Sequence, residues 1–73
     1  METSGKPFHE KLSDREFQIM RMIAQGKTIK TIGEELYLSE KTVSTYRTRL
    51  LEKMYMKTNA EIISYVLKNK LID

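Results

Sequence analysis

Four times in this chain a serine or threonine stands just ahead of a run whose apolar residues recur at helical spacing: Ser13, Thr28, Ser39 and Thr58. A hydroxyl in that position accepts a hydrogen bond from one of the unpaired backbone N–H groups of a starting helix, so each marks a helix start. Two of the four are followed three residues later by glutamate. Ser13-Asp14-Arg15-Glu16 and Thr58-Asn59-Ala60-Glu61 are therefore reciprocal capping boxes. Leu12, just before the first, is placed to act as its hydrophobic staple.

The apolar spacing then sets the helices. Phe17, Met20, Ile23 and Ala24 predict a first helix over about 14–25, stopped by Gly26 in the left-handed conformation. Ile29, Ile32 and Leu36 share a face of a short second helix, with Glu34 and Glu35 pointing out. Val43, Tyr46, Leu50 and Met54 line one face of a longer third helix, about 40–55. The second capping box opens a fourth helix running to about Asn69. No strand-like alternation persists anywhere, so the expected fold is all-α: a four-helix, bundle-like domain.

Length and composition narrow the function. Seventy-three residues leave room for one domain. Cysteine is absent, which excludes disulfides and cysteine–zinc sites. No apolar run approaches the roughly 18–20 residues that span a bilayer, and the start has no signal-peptide pattern, so a cytoplasmic location is expected. Residues 1–11 hold Gly5, the single proline Pro7 and Phe8 without any period, and read as an arm or interdomain linker ahead of a domain at 12–73. His9 is the only histidine and falls in that arm, leaving a metal site or a nucleophile–base pair without support. Glu34 and Glu35 are adjacent on a helix, so their side chains diverge and do not form a catalytic pair. Neither an enzyme nor a cofactor is expected.

Charge is uneven along the chain. Between residues 41 and 57, Lys41, Arg47, Arg49, Lys53 and Lys57 face a single acid, Glu52, whereas 28–40 carries Lys30 against Glu34, Glu35 and Glu40. A local basic excess of this kind is the footprint of a polyanion-binding element, or else a solvated helix face. The link between helices two and three is only three or four residues long, which suits a helix-turn-helix. The outer side of helix three then carries Lys41, Ser44, Thr45, Thr48 and Arg49, opposite Val43, Leu50 and Met54. Small hydroxyls let a backbone approach base edges, while flanking cations reach phosphate or guanine. A solvated face more often carries Glu/Lys pairs one turn apart, and this one has almost none.

Arg47 and Tyr46 lie towards the flank of that helix, where phosphate is the expected contact. Thr28 and Lys30, at the start of helix two, are either a phosphate clamp or an ordinary cap. In helix four, Ile63 and Leu67 form one apolar stripe, expected to pack inward. Ile62, Tyr65 and Val66 form a second, expected to face either a second copy of the chain or Phe8 of the arm.

At these residues the chain resembles the LuxR/FixJ-type (GerE-like) helix-turn-helix domain found at the C-terminus of many bacterial response regulators of the NarL/FixJ family. The resemblance rests on Leu12, Ser13, Arg15 and Glu16; on Gly26; on Ser39, Lys41, Thr42 and Val43; and on Lys53-Met54, and it spans about residues 12–70. It implies a tetra-helical LuxR-type domain that binds double-stranded DNA sequence-specifically, as inverted or direct repeat half-sites. It further implies a homodimer on DNA through helix four, RNA polymerase as a further candidate partner, and activation by phosphorylation of a receiver domain. The alternative reading is a small helical protein–protein interaction module with a basic face. Four positions depart from the family pattern. Tyr55 replaces the glycine that usually ends helix three, Gly33 stands where alanine is common, Ser44 replaces a frequent lysine, and Tyr46 a frequent histidine.

Overall fold

A computed structural model describes residues 11–71, which form four helices: α1 Asp14–Ala24, α2 Ile29–Leu36, α3 Glu40–Met54 and α4 Asn59–Lys68. All four hydroxyl caps are made. Ser13 Oγ accepts from the Glu16 N–H, Thr28 Oγ1 from Thr31, Ser39 Oγ from Thr42 and Thr58 Oγ1 from Glu61, at 3.1–3.3 Å. Both capping boxes close. Among the described residues there is no strand, as the all-α expectation requires. The arm expected at the N-terminus lies, but for Lys11, outside the described residues.

α1 is the hub. It packs along both α3 and α4, while α2 packs on α3. Because α1 is covered from two sides, its buried face is wider than one stripe: Ile19 and Met22 are buried with Met20 and Ile23, and Phe17 and Ala24 are half-buried. Ile32 of α2, Val43, Leu50, Leu51 and Met54 of α3, and Ile62 and Val66 of α4 complete the core. Fully burying one aliphatic side chain contributes about 1.5–3 kcal/mol, so this cluster dominates the fold.

The facing of α4 differs from the sequence expectation. Ile62 and Val66 are wholly buried within the single chain and Tyr65 is half-buried against the core, whereas Leu67 is 61% exposed. The stripe expected to meet a second copy is core, and Ile62 and Val66 offer no surface to a partner. The helix end supplies the physical reason. Lys70 is left-handed (φ 55°), the Leu71 N–H bonds to the Val66 carbonyl at 3.0 Å, and the Lys70 N–H bonds to Leu67 at 3.2 Å. This double-bonded end brings the residue after the turn against the one that accepts its N–H, and Leu71 accordingly packs on the core from the Val66 side. Two apolar stripes of similar size leave the wheel ambiguous, and this terminal contact favours the one carrying Ile62 and Val66.

An ion pair locks the rotation of α3 against α1. Glu16 is only 3% exposed, and its Oε1 accepts from the Ser13 N–H at 2.9 Å and from Lys53 Nζ at 2.7 Å. Burial pushes the Glu16 carboxyl up, but the Lys53 ammonium and the Ser13 N–H more than offset that and hold it below its ordinary value. Arg15-Glu16 and Lys53-Met54, far apart in sequence, thus meet through one carboxylate.

The turn between α2 and α3 is tight and needs a glycine inside α2. Tyr37 is left-handed (φ 59°), and the Leu38 N–H bonds back to the Gly33 carbonyl at 2.8 Å. A Cβ on Gly33 would sit 2.6 Å from the Leu38 carbonyl oxygen, a backbone atom that cannot step aside. The close approach that Gly33 permits is therefore to the turn itself. At the end of α3 the left-handed cap is formed without glycine: Tyr55 takes φ 58°, and the Met56 N–H bonds to Leu51 at 2.9 Å.

Candidate nucleic-acid interface

α3 presents two unlike faces. Val43, Leu50 and Met54 are at most 2% exposed and face inward. Lys41, Ser44, Thr45, Thr48 and Arg49 are all exposed on the other side, where together with Glu52 they line one shallow groove. The five outward residues read from the sequence are thus brought together. Glu52, at the far end of the groove, was not among them.

Hydroxyl chemistry on this face is partly fixed. The Thr45 hydroxyl donates to the Lys41 carbonyl at 3.0 Å. Outward it therefore offers a methyl group and an oxygen lone pair, which suit a thymine methyl or a base amino group. At the helix start Ser39 accepts from the Thr42 N–H and donates to Thr42 Oγ1 at 2.9 Å. Neither Lys41 nor Arg49 is in an ion pair among the described residues, whereas Lys27 pairs with Glu35 and Lys53 with Glu16. The two cations of the outer face outnumber its one acid, Glu52, which leaves the local potential positive.

Tyr46 and Arg47 are half-buried on the flanks, Tyr46 packing on the core. Arg47 is not loose. Its Nε donates to Asn59 Oδ1 at 2.7 Å, across to the first residue of α4. Asn59 was missed by sequence reading, since nothing local to Thr58-Asn59-Ala60-Glu61 indicates which side chain from another helix lies beside it. Thr28 and Lys30 are exposed at the start of α2. The Thr28 hydroxyl proton is taken up in its own cap, the oxygen accepting from the Thr31 N–H and donating to Thr31 Oγ1 at 3.1 Å. The cap is therefore made, and an anion at this helix start would meet Lys30 and backbone N–H groups.

Among the described residues no three of His, Cys, Asp and Glu come together as metal ligands, and no helix is long and apolar enough to cross a membrane. His9 lies outside the described residues.

Known proteins resemble the chain over most of its length. The family described as bacterial regulatory proteins, luxR family, matches residues 10–66. The chain is 42% identical over 62 residues to the oxygen regulatory protein NreC of Staphylococcus carnosus, covering 85% of this chain and 29% of the relative. It is also 42% identical over 65 residues to the transcriptional regulatory protein LiaR of Bacillus subtilis, covering 89% of this chain and 31% of that one. The chain thus spans about three-tenths of the length of these relatives.

Proposed function

Because this chain belongs to the luxR family of bacterial regulatory proteins, we propose that it binds double-stranded DNA sequence-specifically by laying the outer face of α3 in the major groove. The observation that carries this reading is the composition of that face: exposed Lys41, Ser44, Thr45, Thr48 and Arg49, backed by a helix whose rotation the core and the Glu16–Lys53 pair hold in place. The short hydroxyl residues admit the backbone to the base edges, and Lys41 and Arg49 reach guanine or phosphate at the groove walls. α2, joined through the tight turn at Tyr37, braces α3 across the DNA backbone. Arg47 and Tyr46 sit on the flank for phosphate. Thr28 contributes as a cap, leaving Lys30 as the group at the α2 start that approaches a phosphate.

Within a longer protein the domain acts as the effector of a two-component response regulator, released by phosphorylation of a receiver domain. Two copies occupy two half-sites about one helical turn apart, which is the spacing that successive major grooves impose. Their contact uses the outward side of α4, where Leu67 is exposed.

The test is selection of bound duplexes from a random pool, followed by affinity measurements over a range of salt. A recovered consensus, bound orders of magnitude more tightly than mixed sequence and steeply weakened by salt, supports the reading. Salt-dependent binding with no sequence preference supports the interaction module with a basic face instead.

A further inference from the structure

We propose that Asn59 is a positioning residue, which holds the Arg47 guanidinium ready for a DNA phosphate. The inference rests on the docking of α3 proposed above and adds a residue from outside the helix-turn-helix. Three observations lead to it. The Arg47 Nε–Asn59 Oδ1 bond is short, 2.7 Å, and joins a half-buried arginine on the flank of α3 to an exposed residue at the start of α4, two helices that each pack on α1 and hardly on one another. Asn59 is also not needed by its own helix: Thr58 caps α4, and Glu61 Oε1 accepts from the Lys57 and Thr58 N–H groups at 3.0 and 3.2 Å. Finally, the bond takes only Nε. An arginine has five N–H donors in a rigid fork, and anchoring Nε leaves the Nη1 and Nη2 groups as the pair that grips a phosphate in two-point fashion.

Position agrees with that role. At about 100° per residue, Arg47 falls on the flank of α3, away from the centre of the Ser44–Thr48 face, where a groove-docked helix passes the sugar–phosphate wall. A free arginine loses much rotational freedom on binding. One already tethered through Nε loses less, so the tether raises affinity without touching DNA itself. Asn59 supplies a neutral acceptor. It orients the guanidinium while leaving its positive charge undiminished, which an acidic residue in the same place would not.

The experiment is a double-mutant cycle on the 73-residue chain, using the duplex recovered by selection and, in parallel, a mixed-sequence duplex. Kd is measured by fluorescence anisotropy across salt, with thermal melts of every variant. Asn59→Ala is expected to weaken binding roughly three- to tenfold with little change in salt slope, because Arg47 still reaches the phosphate. In an Arg47→Ala background the same change is expected to cost less than about twofold. Asn59→Asp keeps the acceptor and places an acid in the first turn of α4, so the melting temperature should hold or rise. Its binding should nonetheless weaken, with a shallower salt slope approaching that of Arg47→Ala. Additive losses for Asn59→Ala and Arg47→Ala, a loss that merely follows the melting temperature, or wild-type binding by Asn59→Asp each overturn the inference while the docking reading stands. A wild-type chain that binds neither duplex overturns both.

Discussion

The inner and outer faces of α3 are made by interleaved residues of one helix, yet they are governed by different physics. On the inner face Val43, Leu50 and Met54 are buried and Lys53 is tied to a carboxylate of α1. On the outer face Lys41 and Arg49 have no ion-pair partner among the described residues, and the side chains between them are small hydroxyls. The inner face fixes the angle at which the outer one is presented. Unpaired charge is tolerable outside because water solvates it, and it becomes useful when a polyanion takes the place of that water.

Neighbouring residues on the two faces should therefore respond oppositely. Leu50→Ala removes a wholly buried side chain and should cost about 2–5 kcal/mol, comparable with the entire stability of so small a domain. Arg49→Ala, one residue away, should leave the melting curve within about 0.5 kcal/mol, weaken DNA binding at every site and lower the salt slope by about one. Chemical denaturation and salt titrations of the two variants check both halves. An Arg49→Ala variant that unfolds easily but binds normally would break the division.

The Glu16–Lys53 pair sharpens the same comparison, since it holds the inner face in register. Glu16→Gln keeps an acceptor for the Ser13 cap but removes the charge that Lys53 meets, and should cost about 1–2 kcal/mol at neutral pH. The folded-state carboxyl lies below its ordinary value of 4.5, so its contribution is complete above that pH and is lost as pH falls through the lower folded value. Stability curves of wild type and Glu16→Gln measured from neutral pH down to about pH 3 should therefore converge towards acid. Parallel curves would mean that the ion pair contributes nothing.

What the sequence disclosed and what it withheld follow from the range of the interactions. The four hydroxyl caps are contacts between residues three apart, so the local pattern reveals them. The outer face of α3 was legible for a related reason: a single clear apolar stripe leaves only one side for the polar residues. α4 has two stripes, and the choice between them rests on Leu71 folding back at a left-handed Lys70, which no helical wheel contains. Tyr55 stands where the family pattern has glycine, a substitution that leaves the left-handed cap undecided from sequence because such a conformation is costly for tyrosine; core contacts of Met56 just beyond it hold the turn. Glu16–Lys53 and Arg47–Asn59 join residues 37 and 12 positions apart, and only the packed chain shows them.

Two backbone positions test how firmly the turns set the outer face. Gly33→Ala should gain up to about 1 kcal/mol of helix propensity, yet its Cβ meets the Leu38 carbonyl, so a net loss of about 1 kcal/mol is expected, with shifted Leu38 and Ser39 amide resonances. A more stable variant with unmoved resonances would contradict the tight turn. Tyr55→Gly should be the mildest change, a stabilisation of about 0.5 kcal/mol from relieving a left-handed non-glycine residue, read as a small rise in melting temperature.

If the outer face of α3 reads bases, changing one small side chain on it changes what a repeated duplex selection recovers. Thr45→Ala removes the outward-facing oxygen lone pair and shortens the side chain without touching the core, so the variant should fold as the wild type does. Its recovered consensus should differ from the wild-type consensus at one or two adjacent base pairs, with the remainder unchanged. An identical consensus, bound with the same affinity, would contradict the docking of α3 in the groove.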